Sequence, residues 1–485
     1  MRSLFGVLHA LGTLLALFAL YFLLPIVTAL IYQESAVGPF VAAAAITAAI
    51  GMALRILTER YRSELKPRDG YLLITLSWLA LAAVATIPLL WLLPNLSFTN
   101  AFFETMSGLS TNGATVLTGL DFLPHAVNLW RHALSWLGGM GLIIMGVAIL
   151  PLLGIGGMQQ YRADAPGPTK DARLGARIAH TARLLGLVYF GLTAVCAAAL
   201  FAAGMSPFDA ICHAFSVLSL GGFSTHDASI AFFHSPLIEA ILIVFMLLAA
   251  MNFATHFVAL RKGEPGTYGR DPEAKWMLLW IAVSCVGVSI HVYLKGVYPD
   301  FLTTFRHVTF NLVSMATDCG FVSANYGVWP VFAPMWMLFL SCVCANTGST
   351  GGGIKMFRSL VLIKQSWREM FTLVHPQAVA PLKIAGQVLP NRVVYSVLAF
   401  IFMYFMTIVL LTFVLLISGL DLVSAFSAIV ACINSAGPGL NVVGPGNTYA
   451  SLSDFQTWIC TLAMLLGRVE IFAFVVLFTP TFWRK

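Results

Sequence analysis

Thr111-Asn112-Gly113-Ala114-Thr115 is the stretch on which the fold turns, because it is one of four versions of the same pattern. The others are Leu220-Gly221-Gly222-Phe223-Ser224, Asp318-Cys319-Gly320-Phe321 and Ser435-Ala436-Gly437-Pro438-Gly439. Sixteen residues before the glycines Gly113, Gly222, Gly320 and Gly437 stand Ser97, Ser206, Thr304 and Asp421. All four are residue types that cap helix N-termini. Position minus seven is apolar in every copy: Met106, Phe215, Val313 and Val430. Each copy therefore reads as a capped helix of about eleven residues running into a loop. Such a helix is roughly 17 Å long, about half of a hydrocarbon core about 30 Å thick. Irregular backbone at that depth is tolerated only where it lines a cavity. Four such units can close a ring around an axis, and a ring of backbone carbonyls can replace the water shell of an ion. The helix C-termini would turn partial negative charge toward the cavity, which favours a cation.

Working outward, the surrounding chain is that of a membrane protein. Of 485 residues, 59% are hydrophobic and 10% charged, against about 25% charged in ordinary soluble domains. Apolar runs predict spans near 5–32, 37–58, 71–94, 128–154, 178–204, 236–260, 274–297, 328–372, 391–419 and 450–480. The eighth is read as interrupted by the glycines of Gly348-Ser349-Thr350-Gly351-Gly352-Gly353. The first run is too long, and lacks a small-residue cleavage site, to be a removed signal peptide. The expected class is an all-α integral membrane protein: two N-terminal helices and four pseudo-symmetric helix–pore-helix–helix repeats. The expected boundaries are a helix pair at 1–68, then repeats at 69–160, 161–268, 269–375 (with a broken second helix) and 376–485.

Of the 27 lysines and arginines, 22 fall in one set of connections. They include Arg55 to Arg68, Arg162 to Arg183, Arg261 to Lys275, Arg358 to Arg392, Arg2, Arg484 and Lys485. The connections 95–127, 205–235 and 420–449 contain none. The positive-inside rule then places both termini in the cytoplasm and all four glycine units on the outer side. The net charge of +7 follows from this topology and does not point to nucleic acid. The eight cysteines lie mostly in apolar stretches and read as small buried residues; the lone Cys342-x-Cys344 lacks partner ligands for a metal.

Two motifs look chemical and are not. The segment from Gly348 to Lys355 fails the phosphate-loop spacing, because Ile354 precedes Lys355 and Met356 follows it. Ser224, His226 and Asp227 are neighbours on one loop, with no nucleophile elbow. Glu104 and Asp209 are read in the first turns of short helices, where the helix dipole suits an acid and where they could also raise cation concentration at the outer mouth. Arg468 stands midway along the last span, where a charge costs about 2.5–3.5 kcal/mol on insertion scales, so it is expected to face a wet interior or a cluster of carbonyls.

Phe103-Glu104-Thr105-Met106-Ser107-Gly108-Leu109-Ser110-Thr111-Asn112-Gly113-Ala114-Thr115 resembles the first filter of the TrkH potassium-uptake family. So do Gly221-Gly222-Phe223-Ser224-Thr225-His226-Asp227, Gly348-Ser349-Thr350-Gly351-Gly352-Gly353-Ile354-Lys355 and Leu466-Gly467-Arg468-Val469-Glu470. The resemblance spans the whole chain. It departs at Asn112, where the family usually has threonine, at Ser435-Ala436 before Gly437, and at Asp318 and Cys319. It implies a bacterial inner-membrane K⁺-uptake subunit of the Trk/Ktr/HKT superfamily, homodimeric, with a cytosolic nucleotide-binding regulator like TrkA, and no enzyme. The implied filter is Ser110, Thr111, Asn112 and Gly113; Ser219, Leu220, Gly221 and Gly222; Thr317, Asp318, Cys319 and Gly320; and Asn434, Ser435, Ala436 and Gly437. K⁺ would sit at the carbonyls of Thr111, Asn112, Leu220, Gly221, Asp318, Cys319, Ser435 and Ala436. The implied gate is Gly348, Ser349, Thr350, Gly351, Gly352, Gly353, Lys355 and Arg468. A Na⁺ or mixed-cation pathway is the alternative.

Overall fold

A computed structural model describes residues 2–61, 66–148, 171–264, 266–384 and 386–484. Arg62, Arg162, Lys170 and Lys485 of the basic set, and the end of the fourth expected span, lie outside these residues. The described chain is almost wholly helical, with one two-stranded antiparallel ladder pairing Lys383 with Val388. Among the described residues, six helices are long and apolar enough to cross a membrane alone: Leu4–Ile31, Val37–Tyr61, Arg68–Leu92, His180–Ala202, Pro272–Leu294 and Asn391–Ile417. Two further helix pairs are long and apolar enough only when taken together, and each is sharply bent at its break: Pro236–Ala250 with Phe253–Lys262 (100°) and Asp454–Val469 with Ile471–Phe478 (106°). Of the remaining expected spans, His125–Ala148 runs to the edge of the described residues. The other divides into Phe332–Val343 and Met356–Val374.

The breaks correct the expectation of a single interrupted span. The sixth and tenth spans are broken as well. Asn252 leaves the helix and its side chain accepts the Ala254 N–H at 2.8 Å, starting a new helix after the bend. Glu470 has φ 64°, a backbone conformation that ends the helix of Asp454–Val469.

The four short helices are Phe98–Leu109, Pro207–Ser219, Phe301–Ala316 and Leu422–Asn434. Ser97, Ser206 and Asp421 cap three of them as expected, each accepting a backbone N–H three residues on. The third differs. Asp300, not Thr304, is its cap, accepting the Thr303 N–H at 2.7 Å. Thr304 lies one turn inside, where its hydroxyl donates to the Asp300 carbonyl at 2.8 Å. A carboxylate is the stronger capping acceptor, so the helix starts where the aspartate stands.

The N-terminal helices are anchored by aromatic packing on the first unit. Trp130 is fully buried and stacks on Phe22 with centroids 4.5 Å apart. Its indole N–H donates to the Ala85 carbonyl at 3.2 Å, and Tyr21 donates to the Ala133 carbonyl at 2.6 Å. Without a hydrophobic drive inside lipid, close backbone approach and buried hydrogen bonds of this sort hold helices together. Gly12 and Gly51 serve the same end: a Cβ on either would strike the backbone of the facing helix.

Candidate functional site: a ring of four loops

Each short helix ends in the same way. The N–H one residue before the signature glycine reaches back to the carbonyl six before it: Asn112 to Ser107, Gly221 to Ser216, Cys319 to Ser314 and Ala436 to Ala431, at 2.8–2.9 Å. This is the longer of the two bonds of a Schellman-type C-cap, which needs a left-handed residue. That residue is Thr111, Leu220, Asp318 or Ser435, with φ between 51° and 65°. Two positions on, the four glycines have φ 82°, 61°, 83° and 78°. The four copies are thus alike in backbone although their side chains differ.

The glycines meet in a closed cycle. A Cβ on Gly113 would run into the carbonyl oxygen of Gly221. One on Gly222 would run into that of Cys319, one on Gly320 into that of Ala436 at 2.6 Å, and one on Gly437 onto that of Asn112 at 2.9 Å. Each unit touches the next, and the fourth returns to the first. The residues of the four filter segments, the first and last more than 300 positions apart in sequence, are brought together. Ser110, Thr111, Asn112, Ser219, Leu220, Thr317, Asp318, Cys319, Asn434, Ser435 and Ala436 are all buried.

Behind the ring lies a polar scaffold that the sequence reading missed. Nine residues before the glycine stands Glu104, His213 or Asn311. Glu104 accepts from the Val116 N–H at 3.0 Å and the Thr115 hydroxyl at 2.9 Å. His213 bonds the Ser224 hydroxyl at 2.9 Å. Asn311 accepts the Ser323 N–H at 3.1 Å. In the fourth unit Ser427, one position earlier, accepts the Leu440 N–H at 2.8 Å. Each ties the loop after the glycine back to its own helix. Recurring polar residues in otherwise apolar half-helices were the available signal. Glu104 is therefore not at the helix start or the mouth. It is 1% exposed and paired with Arg131 at 2.7 Å. Arg131 also donates to the Ser224 carbonyl at 3.3 Å, so one buried guanidinium joins the first and second loops. Asn112 does the same between the first and fourth: its side chain donates to the carbonyls of Ala431 and Cys432 at 3.2 and 3.0 Å.

Farther out, Asp121, Asp209, His226 and Asp227 knit the first two loops. His226 bonds Asp121 at 2.5 Å and lies 3.6 Å from Asp209. The Leu120 N–H donates to Asp227 at 3.1 Å. Burial works against a charged His226, but hydrogen bonds to Asp209 and Asp121 outweigh it and hold the imidazole above its ordinary value. The side chains of Ser224, His226 and Asp227 bond His213, Asp121 and the Leu120 N–H respectively, and form no triad.

On the other side of the ring lies the segment 344–355. Arg468 is 2% exposed and donates to the Thr350 carbonyl at 3.4 Å and the Gly138 carbonyl at 2.9 Å. The Thr350 hydroxyl donates to the Leu218 carbonyl at 3.1 Å. Thr347 N–H is held by Glu273 at 2.7 Å. Gly352 is packed so tightly on the Asn434 carbonyl that a Cβ would not fit. Lys355 donates to Gly351. Beyond it, Arg358 bonds Glu470 at 3.1 Å and stacks over Phe400. All eight cysteines are unpaired thiols, seven of them buried.

Comparison with known proteins places these features in context. The model of the TrkH family, described as "Cation transport protein", matches residues 38–485. The chain is 44% identical over 478 residues to the Trk system potassium uptake protein TrkH of Salmonella typhimurium, covering 98% of each chain. It is 44% identical over 484 residues to that of Vibrio parahaemolyticus, covering 99% of each. The crystal structure of the potassium transporter TrkH from Vibrio parahaemolyticus superposes with a TM-score of 0.90 at 41% identity, covering 100% of this chain and 99% of that one.

Proposed function

The chain belongs to the TrkH family of cation transport proteins and is not an enzyme, and from that premise we propose that it takes up K⁺ through a pathway lined by the four loops. The carbonyls of residues 110–113, 219–222, 317–320 and 434–437 take the place of the ion's water shell. The observation that carries this reading is the closed cycle in which each signature glycine lies against a carbonyl of the next unit. A cation leaving water needs several oxygens around it at once, and only a closed ring can supply them from one chain.

Segment 348–353, with Lys355 and Arg468, is the barrier on the cytoplasmic side. Its carbonyls at Thr350 and Gly351 are taken by the cationic groups of Arg468 and Lys355. A fixed positive charge in a low-dielectric path also opposes a passing cation. The protein sits in the bacterial inner membrane with both termini in the cytoplasm. It works as a homodimer under a cytosolic nucleotide-binding regulator, since its own basic connections are short. The test is uptake of radioactive rubidium into K⁺-loaded proteoliposomes, with Na⁺ as competitor. Uptake that K⁺ suppresses and Na⁺ does not is expected. Equal suppression by both ions would replace this reading with a mixed-cation pathway.

A further inference from the structure

One peptide unit in the barrier is held at both ends by opposite charges. The N–H of Gly352 donates to Asp318 Oδ2 at 3.1 Å. The carbonyl of Gly351, on the same peptide bond, accepts from the Lys355 ammonium. The carboxylate and the ammonium thus face each other through a single amide, and each polarises it in the sense that favours the other bond. Asp318 is fully buried, and its Oδ1 has no hydrogen-bond partner. A buried carboxylate with one partner amide is costly unless a cation lies near. Nothing in helix capping calls for an acid here. Thr111, Leu220 and Ser435 fill the equivalent left-handed position in the other units.

The backbone of Asp318 belongs to the ring. The next carbonyl, that of Cys319, is the one against which Gly222 packs. Its side chain belongs to the barrier. We propose that Asp318 and Lys355 form a latch across the Gly351–Gly352 peptide, through which the position of the barrier segment sets the shape of the third loop of the ring. This rests on the reading of the ring as filter and the segment as barrier. Asp318 and Lys355 are positioning residues in this scheme. When the segment withdraws, the Gly352 N–H leaves Asp318, the left-handed turn loses its restraint, and the Cys319 carbonyl is freed to shift against Gly222. A barrier that opens would therefore also change how well the ring discriminates between ions. A barrier held only by Arg468 would not.

The experiment uses the full chain in proteoliposomes and compares the parent with Asp318→Asn, Lys355→Met, the double variant and Arg468→Ala. Rubidium uptake and its competition by Na⁺ are read without regulator, and folding is followed by thermal melting and dimer elution. Hydrogen bonds to charged groups carry enough free energy that either single change should raise basal flux about tenfold. Each should also weaken discrimination against Na⁺, and the double variant should go no further than either single one. Arg468→Ala should raise flux with discrimination kept. If Asp318→Asn does not fold, Lys355→Met decides alone, since it cuts the other half of the latch. Parent-like flux and discrimination in the folded latch variants, with raised flux in Arg468→Ala, would overturn the latch and leave the barrier standing. No change in Arg468→Ala either would remove the barrier reading itself.

Discussion

At the scale of the residue, Gly113 shows most directly how chemistry and packing agree. Its φ of 82° costs a residue with a Cβ roughly 1–2 kcal/mol, and that Cβ would also press on the Gly221 carbonyl. Gly113→Ser should therefore push the second loop outward and raise Na⁺ entry relative to K⁺, measured by competition of rubidium uptake; an unchanged ratio would count against a filter role. Arg131 invites a stability test. Arg131→Met leaves Glu104 buried and uncompensated, a loss of about 3–5 kcal/mol. The double variant Glu104→Gln with Arg131→Met should regain much of it, as read from thermal melting. His226 gives a pH dependence with a defined sign. Its folded value is raised above the ordinary 6.5, so its bonds to Asp121 and Asp209 stabilise fully below about that pH and are lost as pH rises through the raised value. The melting temperature of the parent should fall as pH climbs from 6.5 toward alkaline, and His226→Gln should lack that step. Gly113 and Arg468 could be picked out of the sequence, because a recurring glycine and a mid-span arginine stand out locally. Arg131 and Asp318 could not, because their partners lie 27 and 34 positions away.

At the scale of the element, the breaks in the second helices matter most. The span of 236–262 bends by 100° and the last by 106°, and the glycine segment divides a third. The bent and divided helices meet: Phe253 N–H donates to the Gly348 carbonyl at 3.2 Å, and Arg468 reaches Thr350. If Arg468 and the segment form one barrier, removing either should raise flux, and removing both should add nothing. Arg468→Ala, a deletion within 350–353 and the two combined provide the measurement, normalised to folded protein. Parent-like conduction by both folded single variants would make these features purely structural. The glycine run was legible as a helix breaker because three glycines cannot hold a membrane helix. The breaks at Asn252 and Glu470 were not. Neither residue is a strong breaker alone, and each helix stops because a neighbour takes its place: Asn252 turns to cap a new helix, and Glu470 bonds Arg358.

At the scale of the whole molecule, the proposal that the short basic connections share the cytoplasmic side predicts control by another chain docking there. Purification should yield a dimer that binds an acidic-faced cytosolic partner; a monomer with fully regulated flux and no such partner would contradict this. Membrane class, helical architecture, the four units and the family could be read from the chain alone. Apolar run length, capping residues and glycine spacing act within a few turns and are written where they act. Even so, the third cap went to Asp300, one turn before the expected Thr304, because two capping types lie a turn apart and the aspartate is the stronger of them. The tertiary structure decided which carbonyl each signature glycine would face, which acid would be buried behind the ring, and which peptide Asp318 would hold. Those are contacts between segments from a few dozen to more than 300 residues apart, and no local pattern specifies them. They exist because half-helices inside a membrane have no water to satisfy their ends, and other segments supply partners, as Asn112 does to the Ala431 and Cys432 carbonyls and Thr350 to that of Leu218.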